Sequence, residues 1–293
     1  RNGIERVSKF MMPILIVLSV LIAVYSVTRP GAMEGVKYFL VPNVKNFSWM
    51  TVVAAMGQMF YSLSIAMGIL ITFGSYMKKE TSLEDSTRNV EVFDTAIAIM
   101  AGLMIIPAVF AFSGGDPDTL QAGPALMFIT IPKVFENMGF GTVVGILFFL
   151  LVLFAAVTSS IALTESAVST FEDELGWSRR RATVLVGVIM IALGSLSSLG
   201  YGPLVGIKII GMQFLDFFDF LTNSVMMPIA AMLTSLFVSR IVGMKRMEEE
   251  IMHGESTFRR KKIFIVMIKY LCPVFALIIL ISSVANAFGW IAM

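Results

Sequence analysis

Seven long runs of apolar residues constrain this sequence more than any other feature. Each run has 18 residues or more, and about 17–25 helical residues cross the hydrocarbon core of a bilayer. Only 14% of all residues are charged, against about 25% in soluble domains. This composition excludes a soluble enzyme core, a nucleic-acid-binding domain and a disulfide scaffold. The predicted spans are 10–27, 46–77, 93–112, 139–171, 182–199, 214–239 and 263–292.

The runs are continuously apolar, whereas strands of a membrane barrel would alternate with a period of two. We therefore predict an all-α integral membrane protein, with residues 1–293 forming a single transmembrane domain. Lys and Arg number 16 on one set of alternate connections and 5 on the other. The positive-inside rule then places the N-terminus of this chain in the cytoplasm and its C-terminus outside the plasma or inner membrane.

The connection 114–138 is longer than a turn requires. It carries an apolar stripe that includes Leu126, Ile131 and Phe135, and this stripe is too short to span a membrane. Two interpretations remain open for this external segment, a lid or an interfacial helix without a gating role.

The second span is too long for a simple crossing. Its 32 uncharged residues would extend about 48 Å as one helix, and the hydrocarbon core is about 30 Å thick. Gly57, Ser62, Ser64 and Gly68 lie in its middle. Such residues are typical of a helix that unwinds to bind a ligand through its backbone. Close packing of small residues is the alternative.

In the fourth span, Ala155, Thr158 and Ser159 share one helical face through their i, i+3 and i+4 spacing. A carbonyl and two hydroxyls on one face offer hard oxygen ligands to a small monovalent cation. A packing seam of small residues is the alternative here as well.

Four carboxylates lie in or beside apolar runs, where an unpaired charge costs several kcal/mol. They are Asp94, Glu165, Asp216 and Asp219. Asp94 fits a helix cap, and Asp216 and Asp219 fit the outer interface, but Glu165 lies deep in an uncharged run. The sequence shows no metal-ligand cluster, phosphate loop or nucleophile with a base. We therefore expect no enzyme activity, organic cofactor or nucleic-acid partner.

Several short motifs occur in a specific order along the chain. They are Gly3-Ile4-Glu5-Arg6, Gly57-Gln58-x-Phe60-x-Ser62-Leu63-Ser64, Gly74-Ser75-Tyr76, Asp94-Thr95 with Ala101-Gly102, Thr158-Ser159-Ser160 and Glu172-Asp173-Glu174. With these motifs, the chain resembles the C-terminal portion of a bacterial neurotransmitter:sodium symporter over essentially all 293 residues. The resemblance implies the fifth to eleventh helices of a partial inverted-repeat transporter fold, one of them broken. It also implies that N-terminal helices of the same polypeptide are missing here.

The resemblance implies a substrate pocket and two sodium sites. The substrate-binding residues would be Tyr61, Ser62, Ser64, Met67, Ser159 and Leu163. The first sodium would be held by Ser62 and Asp94, and the second by Ala155, Thr158 and Ser159. Other members carry a neutral Asn where this chain has Asp94, so the carboxylate implies transport without chloride.

Gates carry over in the same way. Asp219 resembles the outer-gate acid, near Tyr61 and Gln58, and Asp173 resembles the inner-gate acid, beside Tyr76. The arginine partners of both acids would lie in the missing sequence. The implied function is sodium-coupled symport of a hydrophobic or aromatic L-amino acid by alternating access, with the substrate, sodium ions and the lipid bilayer as partners.

Two alternatives remain. A transporter-like sensor or scaffold would bind the amino acid without flux. A seven-helix retinal protein or receptor would use Lys269 in the last span, although the predicted orientation is opposite to that of such proteins.

Overall fold

The computed structural model describes residues 2–116, 123–254 and 257–290. The chain divides into two compact units. Unit 1 comprises Arg1–Phe47 and Val92–Ile161, and unit 2 comprises Ser48–Glu91 and Ala162–Met293. The described residues are mostly helical and contain no β-strand, only an isolated bridge between Ile209 and Met212. The predicted all-α fold is confirmed.

Thirteen α-helices are found in the described residues, and short π-helical turns interrupt some of them. The turns Phe220–Met226 and Met267–Leu271 join neighbouring α-helices, and the turn Val238–Val242 extends one. The α-helices are α1 (Asn2–Val27), α2 (Ala32–Leu40), α3 (Trp49–Ser62), α4 (Ile69–Gly74), α5 (Leu83–Ser113), α6 (Ile131–Glu136), α7 (Gly141–Leu175), α8 (Arg179–Leu199), α9 (Phe214–Asp219), α10 (Met227–Phe237), α11 (Met244–Ile251), α12 (Lys261–Val266) and α13 (Cys272–Ala287).

Within the described residues, six helices are long and apolar enough to cross a membrane. They are Arg6–Val27, Leu83–Ser113, Gly141–Leu175, Arg179–Leu199, Phe214–Val242 and Lys261–Ala287. The remaining predicted span, 46–77, forms the two shorter helices α3 and α4. The broken helix that the family resemblance implied is therefore confirmed.

Helices α5 and α7 extend well beyond the apolar runs that predicted them. Helix α5 begins at Leu83 rather than near residue 93, and Glu84 and Asp85 lie in its first turn. Negative charges at a helix N-terminus interact favourably with the positive end of the helix dipole, so this polar turn is stabilised. Helix α7 continues to Leu175 and stops before Gly176, whose φ of 62° is left-handed.

The core of unit 1 is built from α1, α5, α6 and α7. Its buried members include Ile22, Ala108, Val134 and Phe148. The apolar stripe of the predicted lid contributes to this core, because Ile131, Val134 and Phe135 of α6 are all buried. Residues 117–122 of that segment lie outside the described residues. A gating movement of the segment stays a prediction.

Unit 2 packs the broken helix against the helices that follow. Phe60 of α3 forms a buried cluster with Met227 of α10 and Ile279 of α13. A second cluster joins Val168 of α7 to Ala182 and Val186 of α8. These two clusters fix the elements that carry the candidate site residues of this unit.

Candidate functional site

The break between α3 and α4 is a strained stretch of backbone. Helix α3 ends at Ser62 and α4 starts at Ile69. Between them, φ is positive at Ser64 (54°), Ala66 (63°) and Gly68 (79°). A left-handed conformation costs a residue with a Cβ about 1–2 kcal/mol. Strain of this kind persists where the surrounding structure enforces it, and it clusters at ligand sites.

Local sequence explains where α3 begins and what its end offers. Ser48 and Thr51 form a capping box, in which each side chain accepts a hydrogen bond from the other residue's backbone N–H. At the other end, the last carbonyls of a helix lack N–H partners within the helix and form the negative end of its dipole. At this break the carbonyls of Met59, Phe60 and Tyr61 accept the backbone N–H groups of Leu63, Ile65 and Ser64. These carbonyls are the negative end of the α3 dipole, which favours a cation nearby.

The predicted substrate residues of unit 2 lie on or near this break. Tyr61 is half exposed, and Ser62, Ser64 and Met67 are partly buried. Leu163 lies on α7 and is also half exposed. Tyr61 borders a small cavity of about 130 Å³ between α3, α10 and α13. The other lining residues are Gly57, Phe60, Asn223, Ser224, Met227, Pro228, Ile279 and Ser283.

A cluster of hydroxyl groups joins α4 to α7. The Thr72 hydroxyl donates to Ser166 Oγ at 3.4 Å and lies 3.4 Å from Ser169 Oγ. A Cβ on Gly68 would lie only 2.6 Å from Ser166 Oγ, so this glycine is required by contact as well as by its positive φ. Sequence analysis missed this cluster, although the helical spacing of Ser166 and Ser169 was a signal for it.

A buried carboxylate lies beside this cluster of hydroxyl groups. The Glu165 side chain is only 4% exposed and forms a salt bridge with Arg179 at the start of α8. Tyr76 Oη donates a hydrogen bond to Glu165 Oε1 at 2.7 Å. Arg179 also contacts Glu172, with 3.1 Å between Nη1 and Oε2. The predicted gate residue Tyr76 is thus brought to Glu165, while Asp173 lies exposed on α7.

Sequence analysis singled out Glu165 as a buried acid but did not give it a partner. Arg179 entered that analysis only through the count of basic residues in the connections. The spacing could not reveal the pair, because Arg179 reaches back 14 residues across the turn between α7 and α8. This turn is held by stacking of Trp177 on Phe171, with ring centroids 5.5 Å apart.

In unit 1, the predicted cation ligands lie on α5 and α7. Asp94 is partly buried on α5. The Thr158 hydroxyl donates to the carbonyls of Ala155 and Phe154 at 2.9 and 3.1 Å. Donating its proton to the helix leaves the lone pairs of the hydroxyl oxygen available to a cation. Ser159, on the same helix, is exposed.

The predicted outer residues are exposed in unit 2. Asp219 accepts a hydrogen bond from the side-chain amide of Asn223, and Gln58 is exposed on α3. Asp216 accepts a hydrogen bond from Tyr201 Oη at 3.3 Å. Burial, and then the negative charge of Asp216, raise the pKa of Tyr201 above the usual tyrosine value.

Comparison with known proteins identifies the family. The model of the sodium:neurotransmitter symporter family matches residues 1–289. The chain belongs to this family. It is 35% identical to an uncharacterized sodium-dependent transporter of Bacillus subtilis (strain 168) over 256 residues, which are 87% of this chain and 56% of that protein. It is 33% identical to an uncharacterized sodium-dependent transporter of Haemophilus influenzae over 283 residues, which are 96% of this chain and 61% of that protein.

A solved structure agrees with the family assignment. The crystal structure of MhsT in complex with L-phenylalanine matches this chain with a TM-score of 0.82 and 36% identity. The match covers 97% of this chain and 63% of MhsT. The chain thus spans about three-fifths of the length of these relatives.

Membership of the sodium:neurotransmitter symporter family confirms the resemblance found in the motifs. The chain is a multi-pass membrane protein of a sodium-dependent transporter family and not an enzyme. The seven-helix retinal protein or receptor is excluded as an alternative.

Proposed function

We propose that the complete polypeptide imports a hydrophobic or aromatic L-amino acid together with sodium ions, by alternating access and without chloride. The broken helix α3–α4 is the observation that carries this proposal. A strained break at the negative end of the α3 dipole suits a charged ligand, because neither α3 nor α4 has a charged side chain of its own. MhsT, with the same fold, was crystallised with L-phenylalanine.

The substrate lies, in this proposal, against the break. Tyr61, Met67 and Leu163 supply apolar surface for the side chain of the amino acid, and Ser62 and Ser64 supply hydroxyls. Ser159 is the remaining residue of the proposed substrate pocket. Ala66 adds a methyl group inside the break at a left-handed position. That methyl group reduces the room for the substrate, which makes Ala66 a determinant of side-chain size.

Two sodium ions are proposed, with separate ligands. Ser62 and Asp94 hold the first ion, and the carboxylate supplies the negative charge that makes chloride unnecessary. Ala155, Thr158 and Ser159 hold the second ion. The hydrogen bonds from the Thr158 hydroxyl to its own helix support this set, because they orient the hydroxyl oxygen without consuming its lone pairs.

The gates follow from the same proposal. Asp219, with Gln58 and Tyr61, closes the outer side, while Tyr76 and Asp173 close the cytoplasmic side. The salt bridge of Glu165 with Arg179 adds to the inner gate, because Tyr76 binds that carboxylate directly. Opening toward the cytoplasm requires Tyr76 to leave Glu165. With Tyr76 and Asp173 on the cytoplasmic side of the membrane, the N-terminus of the chain lies in the cytoplasm and its C-terminus outside.

The experiment measures binding of radiolabelled leucine, phenylalanine and tryptophan to the complete transporter, in sodium or potassium, with and without chloride. We expect binding that depends on sodium and is indifferent to chloride. Asp94→Asn should bind only when chloride is supplied, or not at all, because the site has lost its fixed negative charge. Asp85→Asn makes the same chemical change in the first turn of the same helix and should bind like the wild type.

Binding that is equal in sodium and potassium would overturn the coupled mechanism. Chloride-dependent binding by the wild type would overturn the role of Asp94. Counterflow of labelled substrate into proteoliposomes separates a transporter from the sensor or scaffold, since only a transporter exchanges substrate across the bilayer.

A further inference from the structure

In unit 2, residues between α11 and α12 pack directly against the segment that follows α4. Helix α4 is the half of the broken helix that the proposed function places on the cytoplasmic side, and it is called the inner half-helix below. Gly254, after α11, packs on the backbone of Thr81, since a Cβ on Gly254 would lie 2.7 Å from the Thr81 carbonyl oxygen. No side chain fits between these two backbones. Two segments about 170 residues apart in sequence are therefore held in direct contact.

Two glutamates of α5 extend this contact as a pair of anchors. Glu84 and Glu91 are seven residues apart, which places both carboxylates on one face of the helix. The guanidinium of Arg260 hydrogen-bonds to both Glu91 oxygens, at 2.9 and 3.1 Å. It also lies 4.0 Å from Glu84, whose other oxygen accepts the backbone N–H of Arg259 at 3.1 Å.

The strength of these ion pairs depends on their access to water. The Arg260 and Glu91 side chains are both 45% exposed, and Glu84 is 13% exposed. A cavity of about 370 Å³ borders Arg260 and Glu84, and Ser82, Arg88 and Thr257 are among its other lining residues. Salt in the surrounding solution therefore reaches the pairs and weakens them. The hydrogen bond and the charge of Glu91 raise the pKa of Arg260, so Arg260 stays charged.

The anchored segment leads directly to the inner gate. Tyr76 donates a backbone hydrogen bond to Phe73 of α4, and Thr81 donates one to Lys78. These two turns leave little free chain between Tyr76 and Thr81. Any displacement of Thr81 is therefore transmitted to Tyr76 and to its hydrogen bond with Glu165.

We propose that Gly254, Arg259 and Arg260 form a latch that holds the inner half-helix α4 in its closed position. Arg260 is a positioning residue, because it acts on Tyr76 through the α4–α5 connection and not on the substrate. Loss of its ion pairs shifts the transporter toward the form open to the cytoplasm. The proposal rests on the proposed function, in which Tyr76 closes the cytoplasmic side.

The test uses the complete transporter with Thr72→Cys as a reporter and its other cysteines removed. Thr72 is buried between α4 and α7, so a water-soluble thiol reagent labels this position only after α4 moves. We expect Arg260→Glu and Glu91→Gln to label about two- to fivefold faster than the parent, as for loss of a partly exposed ion pair. The double variant Arg260→Glu with Glu91→Arg should return to the parent rate.

Arg259→Gln is the matched control, because Arg259 contributes its backbone N–H and Gln retains that group. It should label at the parent rate. If Arg260→Glu fails to fold, Glu91→Gln and a potassium chloride titration decide the question. Labelling of the parent should accelerate with salt, and labelling of Glu91→Gln should change less.

Two results would overturn the latch: parent labelling rates in both single variants, or faster labelling that the charge exchange does not reverse. Sodium-dependent phenylalanine binding, measured on the wild-type transporter and on the same preparations, keeps the two proposals apart. Its absence in the wild type would overturn the proposed function. Its presence with unchanged labelling would overturn the latch alone.

Discussion

The buried pair of Glu165 and Arg179 leads to a prediction about which partner matters more for stability. The Glu165 side chain is 4% exposed, and that of Arg179 is 51% exposed. Arg179→Met leaves a buried carboxylate without its cation. Glu165→Gln leaves an arginine that still contacts Glu172 and water. Removal of Arg179 should therefore destabilise the protein more than removal of the charge of Glu165.

The magnitudes follow from the exposures. Removing one partner of a fully buried pair costs about 3–5 kcal/mol. Water already screens the exposed half of Arg179, which lowers the expected cost of Arg179→Met to about 2 kcal/mol. Glu165→Gln should cost about 0.5–1 kcal/mol, because the amide still accepts the hydrogen bond from Tyr76 and no charge is left buried.

Thermal unfolding of the purified complete transporter in detergent measures the difference. The unfolding entropy grows with chain length, so for the complete transporter the shift is about 1 °C per kcal/mol. Arg179→Met should therefore lower Tm by about 2 °C and Glu165→Gln by about 0.5–1 °C. Arg180→Met is the matched control, since Arg180 is exposed and forms no ion pair within the described part of the chain. A larger loss in Glu165→Gln than in Arg179→Met would refute the argument from the buried charge.

Two further predictions concern other parts of the chain. Gly35→Ala should destabilise the protein by about 1–3 kcal/mol through overpacking, because the added Cβ would lie 2.8 Å from the Pro107 Cα. Gly187→Ala is its control: a Cβ at Gly187 would meet open space, so this variant should not lower Tm. The pKa of Tyr201 is raised, so the folded protein holds the phenol proton more tightly than the unfolded chain does. Tyr201 therefore contributes its full stabilisation below pH about 10, the usual tyrosine pKa, and this stabilisation is lost as the pH rises through the higher pKa of the folded state. Asp216→Asn should lower the pH at which tyrosinate absorbance appears, with Tyr201→Phe identifying the signal, and an unchanged titration would contradict the role of Asp216.

Much of the fold was predictable because lipid leaves few choices. A run of about 20 apolar residues must satisfy its backbone hydrogen bonds internally, so it becomes a helix. The 32 uncharged residues of the second span showed that it is too long for a simple crossing, and the family resemblance then implied the break that lies at residues 63–68. The family motifs, read in order, then identified the class of transporter.

The helix ends were less predictable. Apolarity reports where lipid begins, whereas a helix ends where its backbone finds other partners. Helix α5 therefore starts ten residues before the predicted span, in a polar turn stabilised by Glu84 and Asp85. The apolar stripe of α6 was visible in the sequence, but its packing partners were not: Ile131, Val134 and Phe135 lie in the core of unit 1.

By itself, the sequence determined that this is a membrane protein, that its spans are helices, that the second span is not a simple crossing, and to which family the chain belongs. All of these depend on local composition or on short motifs. Only the tertiary structure decided which charges meet. Glu165 was a lone acid in the sequence, and folding supplied Tyr76 from 89 residues away and Arg179 from the next helix. Arg260 likewise reaches Glu91 across 169 residues of chain. Pairing at such separations depends on how helices pack, which no local pattern of residues encodes.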